Sequence, residues 1–301
     1  MNLPISVVIL TYNEEKNIAI CLDSIKDFAQ NIFIVDSFST DETLEIAKRY
    51  TDKIFQHTFE TQAKQFNWGL DNLPINTEWV MRLDADEVLS LELKDELQNK
   101  LNTFSSDTRG LYVKRRVYFL GKWMRFGGYY PIWLLRIWRK GMARSEELIM
   151  DEHIKLIKGK SCYLTNDIFE ENKKDINWWI QKHNDYATRE AISLLNLKYS
   201  LFKNDTLKSN ILGTQEQKKR WIKEEVYNKM PMFFRTLCYF LYRYFLRLGF
   251  LDGKEGLIWH FLQGFWYRFL VDAKIYEIQS KARKENKNLL TTIHELYDIA
   301  L

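Results

Sequence analysis

The chain has 301 residues, with 46% hydrophobic and 28% charged side chains and only 12 Gly and 4 Pro, which excludes a disordered or collagen-like chain. Its length suits one large domain or two modest ones. The net charge of +4 hides an asymmetry: residues 1–110 carry 10 Lys and Arg against 19 Asp and Glu, the rest 34 against 21, and 34 of the 45 aromatic side chains lie in the second part.

Ile5–Leu10 is a continuous β-branched run, the pattern of a strand covered on both faces. A helix is expected from about Glu14 to Phe28, and a second such strand covers Ile32–Val35, ending at Asp36. Ser39 with Glu42 three residues on reads as a capping box for a helix through Tyr50. Lys53–Gln56 reads as a strand, 61–73 as a helix and Trp79–Leu83 as the next strand, which runs into Asp84-Ala85-Asp86. Strands alternating with helices of this length predict a mostly parallel α/β sheet, and ligands of such sheets collect at the carboxyl ends of the strands. From Leu111 the pattern changes to two strands, Leu111–Phe119 and Ile132–Trp138, separated by a Gly- and aromatic-rich loop within a strongly basic stretch. Beyond Lys173 long helices are expected over 174–200, 215–248 and 254–284.

Cys21, Cys162 and Cys238 are too few and too far apart for a disulfide framework or a Cys-based zinc site, and they fit a reducing compartment. Met1–Leu10 has no basic region or cleavage site, so the chain is expected to stay in the cytoplasm. No uncharged apolar stretch is long enough for a simple spanning helix.

The acidic residues that end the strands are the first chemical signal. A D-x-D at a strand end projects two carboxylates that can share a hard divalent cation and a ribose hydroxyl. It could equally be a solvated turn, with Asp84 capping the next helix. Neither a G-x-G-x-x-G nor a P-loop motif occurs, which disfavours a nicotinamide-type Rossmann site and a P-loop.

Three segments, Ser6–Glu14, Val35-Asp36-Ser37 with Ser39-Thr40-Asp41, and Arg82–Glu87, resemble in order and spacing the nucleotide-sugar half of family-2 glycosyltransferases with the GT-A fold. The resemblance covers about residues 3–155. It implies a Rossmann-like sheet with helices on both faces, followed by a C-terminal helical region. The expected parts are a nucleotide-sugar half (1–110), an acceptor half (111–172) and a helical, membrane-associated region (173–301). It further implies that Thr11, Tyr12, Asn13 and Glu14 line the base and ribose pocket, that Asp36 accepts a hydrogen bond from the base, and that Asp84 lies near the ribose. Asp86 would bind Mg²⁺ or Mn²⁺, and the donor would be a nucleotide-diphosphate sugar, a UDP-sugar being favoured. Lys64 is a candidate diphosphate contact, although a solvated helix-face lysine is the competing reading. Arg136 and Arg139, three apart on one strand, face opposite sides, and Arg136 is the one assigned to the diphosphate.

An inverting transfer needs a carboxylate to take the acceptor proton. Met150-Asp151-Glu152-His153 supplies the candidates: one of Asp151 and Glu152 is the base, Asp151 being preferred, and the other is structural. His153 is a metal ligand, a diphosphate contact or a structural histidine. In the second region, Pro231–Leu248 on a helical wheel separates Arg235, Arg243 and Arg247 from an apolar side, which predicts a helix in the bilayer interface. Gly256–Tyr267 is uncharged and aromatic, either interfacial, re-entrant or buried. Trp178, Trp179 and His183 either pack a core or line an acceptor groove. The expected acceptor is a lipid-linked saccharide or lipopolysaccharide-type molecule at the cytoplasmic face of the inner membrane. The basic second half lacks any nucleic-acid recognition motif, so nucleic acid is not an expected partner. The alternative function is a non-catalytic, membrane-associated binding module on a degenerate transferase fold.

Overall fold

Strand β1 (Leu3–Thr11) forms where the β-branched run predicts it, and its side chains divide between two cores. Ile5, Val7 and Ile9 enter one with helices α1 (Ile18–Asp23) and α4 (Leu91–Lys100). Val8 enters the other, with Phe66 of α3 (Gln62–Asn72). This period-two division puts helices on both faces of the sheet. The structure, a computed structural model, describes residues 2–146, 153–202 and 215–299.

Around β1 lie β2 (Ala29–Asp36), β3 (Ile54–Gln56) and β4 (Trp79–Asp84), all parallel, in the order β3-β2-β1-β4. The sheet continues from β4 through β8 (Ile132–Arg139), β6 (Thr108–Phe119) and β11 (Lys160–Glu171) to β5 (Glu87–Leu89). Short β7 (Lys122–Trp123) pairs with β6, and β9 (Ala143–Ser145) with β10 (Ile154–Leu156) forms a separate ribbon. The sheet therefore runs without a break through residues 1–110 and 111–172. Asp84 ends β4 and Glu87 begins β5, so three residues of chain, at most about 11 Å, join two strands with three others between them in the sheet order. The sheet must curl to allow this, and the D-x-D sits at the join.

Two local expectations are corrected. The capping box does not form: α2 (Thr43–Ala47) starts later, and the Ser39 hydroxyl donates to Asp36 at 2.5 Å and accepts from the Asn13 backbone at 2.9 Å. The helix expected over 14–28 is the six-residue α1 with turns on either side.

Contacts divide the described chain into two units, one of residues 2–125, 129–146 and 153–173, the other of 126–128, 174–202 and 215–299. The second unit is helical. Ala187, Ala191 and Leu195 of α5 (Ile176–Tyr199) recur every four residues and pack on Tyr267, Val271 and Ile275 of α9 (Tyr267–Glu285) and Ile293 of α10 (Leu289–Tyr297). The helix expected over 215–248 is broken. After α6 (Gln215–Glu225) and a 3₁₀ turn, Met230 is extended because Pro231 follows it, and the chain restarts as α7 (Phe234–Leu241). A π-helical turn over Tyr242–Leu246, α8 (Gly253–Trp259) and a second π turn over His260–Trp266 lead into α9.

Trp179 and His183 are core residues of this unit: their rings stack at 3.5 Å, with Trp259 and Trp266 beside Trp179. Burial lowers the His183 pKa to about 4, offset in part by its hydrogen bond with the Trp179 carbonyl. Because the folded pKa lies below the unfolded value of about 6.5, stability is present above that pH and is lost as pH falls towards 4. The stability of the wild type is expected to drop by on the order of 2 kcal/mol across this window in chemical unfolding, and His183→Leu is expected to flatten that slope.

Candidate active site

The residues singled out at the strand ends meet at one edge of the first unit. In the parallel register Thr11 lies beside Asp36 and Leu10 beside Asp84, so the carboxyl ends of β2, β1 and β4 bring Asp36, Thr11 and Asp84 together. This is where a doubly wound sheet offers a ligand crevice.

Asp36 is fully buried and its oxygens accept from the Thr11 hydroxyl (2.9 Å), the Ser39 backbone N–H (2.9 Å) and hydroxyl (2.5 Å), and the Gln56 amide (3.4 Å). It organises the loops after β1 and β2. Asn13, left-handed at φ 53°, accepts from the Thr40 N–H at 2.8 Å, a conformation that Asn tolerates better than most residues. Glu14 and Glu15 donate their backbone N–H groups to Thr43 and Asp41. Tyr12 and Phe38 remain exposed on these loops.

The D-x-D carboxylates have different environments. Asp84 accepts from Arg136 at 2.9 Å and Arg82 at 3.2 Å. Burial would raise its pKa, but Arg136 and then Arg82 outweigh it and hold Asp84 well below the usual carboxylate range. Glu87, almost fully buried, takes the other contact of the Arg136 guanidinium at 2.5 Å and accepts from the Asp84 N–H. Burial, reinforced by the charge of Asp84 and opposed by Arg136, pushes the Glu87 carboxyl up to about 7. Arg136 therefore clamps two carboxylates, and its own pKa is raised: their charges outweigh the opposing effect of burial. Asp86 is half-buried, accepts from the Asn172 amide at 2.9 Å, and has no cationic side chain within ion-pair distance among the described residues.

The other residues named from sequence lie as follows. Lys64 is exposed on α3 and pairs with Glu60 at 2.5 Å. Asp151 and Glu152 lie outside the described residues. His153 follows them, its backbone N–H donating to the buried Glu146 carboxylate at 3.2 Å and its Nδ1 3.4 Å from it; Lys155 lies 3.4 Å away on the other oxygen. Arg139 turns away from the site, stacks on Trp79 and donates to the Thr108 carbonyl. Much of the basic stretch is paired internally: Lys114 and Arg116 share Asp167, and Arg115 pairs with Glu170.

For a divalent cation, Asp84 is already paired with two guanidiniums, whereas Asp86 has no cationic side chain within ion-pair distance among the described residues. His153 Nδ1 is buried 3.4 Å from the Glu146 carboxylate without a completed hydrogen bond, so the ring is not fixed by the carboxylate–histidine bond that orients metal-binding imidazoles. No cluster of three potential His, Cys, Asp or Glu ligands occurs among the described residues, so a cation here would need ligands from a bound substrate. Glu87 and Glu146 are the residues that sequence reading missed. Glu87 directly follows the D-x-D, and that adjacency was its one signal.

The carboxyl edge of these three neighbouring strands thus carries two carboxylates, Asp36 and Asp84, with the Thr11 hydroxyl between them, and the sequence has neither a G-x-G-x-x-G nor a P-loop glycine motif. The family model described as glycosyl transferase family 2 matches residues 6–155, about half of the chain. An uncharacterized glycosyltransferase of Rickettsia typhi is 27% identical over 284 residues, covering 93% of this chain and 89% of its own length. The lipopolysaccharide core biosynthesis glycosyltransferase LpsC of Rhizobium meliloti is 26% identical over 294 residues, covering 94% and 96%. Among solved structures, S. aureus TarS 1–349 in complex with UDP-GlcNAc is 15% identical with a TM-score of 0.46, covering 95% of this chain and 93% of its own. The chain belongs to glycosyl transferase family 2.

Proposed function

We propose that the protein is an inverting, metal-dependent transferase that moves a sugar from a nucleotide-diphosphate donor, a UDP-sugar, to a lipid-linked or lipopolysaccharide-type saccharide at the cytoplasmic face of the inner membrane. The observation that carries this reading is the register that sets Thr11 beside Asp36 and Leu10 beside Asp84 at the carboxyl edge of three parallel strands. A relative named for lipopolysaccharide core biosynthesis, alike over nearly the whole chain, supports the acceptor class.

In this reading the loops held by Asp36 take the base and ribose, with Thr11, Tyr12, Asn13 and Glu14 around them. Arg136 keeps Asp84 ionised and fixed towards the ribose. Asp86 and His153 would hold Mg²⁺ or Mn²⁺, which neutralises charge on the departing diphosphate. The acceptor hydroxyl oxygen bonds to the anomeric carbon as the bond to the diphosphate oxygen breaks, and its proton passes to Asp151 or Glu152. Attack opposite the leaving group inverts the anomeric centre.

The test is transfer from labelled UDP-sugars to lipopolysaccharide-type acceptors, with the product anomer read by NMR. Asp151→Asn combined with Glu152→Gln is expected to reduce transfer by at least about a hundredfold while UDP still raises the melting temperature. Loss of UDP binding in that variant would move both residues to the donor site.

A further inference from the structure

The helical wheel sets Arg235, Arg243 and Arg247 on the polar side of an interfacial helix, and the structure turns the first two inward. Arg235 is 4% exposed and forms an ion pair with Asp272, while Arg243 donates to the Gly127 carbonyl at 2.7 Å. What the same segment exposes is apolar: Leu246 is 76% exposed, Phe245 53% and Leu241 42%, with Leu257 and Phe261 similar. Phe245 and Phe261 belong to one run of ring contacts, and the exposed leucines flank those residues in sequence. Phe245 contacts Tyr244, which stacks on Phe240 at 5.4 Å, and Phe240 contacts Phe261 and Phe265, which reaches Phe269. An exposed apolar and aromatic face of this kind marks a docking surface.

Charge selects the occupant. From Lys229 to Val271 there are six Lys and Arg against two acids, and one of those, Asp252, is buried. Arg247 and Lys254 stay exposed beside the apolar side chains. A second copy docked through the same face would set these cations against their own equivalents, whereas an anionic bilayer attracts them. No described helix is long and apolar enough to cross a membrane; the face is cut into short α, π and 3₁₀ turns, which suits lying on lipid rather than spanning it.

We propose that this face, centred on Leu241, Leu246, Leu257 and Phe261, seats the protein on an anionic lipid surface, its apolar side chains entering the headgroup boundary with Arg247 and Lys254 at the rim. The inference rests on the membrane-acceptor reading above for its meaning, and its test does not depend on activity. In flotation, the full chain is expected to rise with vesicles of phosphatidylethanolamine and phosphatidylglycerol and to bind phosphatidylcholine vesicles more weakly. Leu241→Glu with Leu246→Glu and Phe261→Glu, all exposed positions, is expected to weaken binding by more than about tenfold while circular dichroism and UDP-sugar hydrolysis stay unchanged. Arg247→Ala with Lys254→Ala is expected to weaken binding to the anionic vesicles by about fivefold per cation. Wild-type protein that floats with neither vesicle, or a triple variant that floats like wild type, overturns the proposal. So does a wild-type dimer that the triple variant breaks in sedimentation without any vesicle binding, which would assign the face to a second copy. Flotation without sugar transfer would instead leave this face standing and remove the catalytic reading.

Discussion

Replacing Asp86 by Ala is expected to lower sugar transfer by about a thousandfold while leaving the fold intact. The side chain is half-buried and its hydrogen bond goes to Asn172, so its removal strands no buried charge. Under the proposed function Asp86, with no cationic side chain within ion-pair distance among the described residues, is the metal-binding carboxylate rather than Asp84, which Arg136 and Arg82 already hold. Calorimetry with UDP separates the possibilities: the variant is expected to lose the tightening that Mn²⁺ gives the wild type and to keep the weaker metal-free binding. Full transfer by wild type in excess chelator would remove the cation from the reaction.

The second large effect concerns stability. Arg136→Met leaves Asp84 and the almost fully buried Glu87 without the guanidinium they share. Breaking such a buried pair from one side costs about 3–5 kcal/mol, readable as a fall in the denaturant midpoint at neutral pH. The pH dependence identifies the cause. In the wild type the folded pKa of Asp84 is depressed, so its contribution is present above the unfolded value and is lost as pH falls through the acid range. Glu87 acts oppositely: with a folded pKa of about 7, its contribution is fully present below its unfolded value of about 4.5 and is lost as pH rises through 7. Without Arg136 both carboxyls are raised, so the variant is expected to be relatively more stable in acid, reversing the Asp84 slope. A variant with the wild-type pH profile would show that the clamp does not set these ionisations. Both contacts come from the one Nη2 of Arg136; Lys at position 136 restores the charge but not the planar, weakly hydrated head, and is expected to recover only part of the loss.

The parallel strands were legible because a strand covered on both faces must be apolar throughout, as Ile5–Leu10 and Ile32–Val35 are. The strand-end carboxylates were legible for a related reason: an acid directly after such a run marks where the apolar strand ends, at the carboxyl edge of the sheet. β11 was not legible, since Lys160–Glu171 mixes polar and apolar residues and is placed by its partner β6, far away in sequence. The clamp was equally hidden, because Arg136, Asp84 and Glu87 meet only once β8 and β5 are in the sheet. The inward arginines show the limit of a helical wheel. It separates two faces correctly but cannot say which is outside when the counter-ion, Asp272, lies 37 residues further on.

The separations along the chain between the groups of the donor edge bear on how the protein comes into being. Thr11 meets Asp36 across 25 residues and Arg136 meets Asp84 across 52, so none of these contacts can form within a single local hairpin or helix. Loop-closure entropy opposes each until the strands between them have paired. The contacts of this edge are complete only once β8 has been synthesised, so an N-terminal fragment ending before Ile132 would carry Asp36, Asp84 and Asp86 but lack the Arg136 clamp.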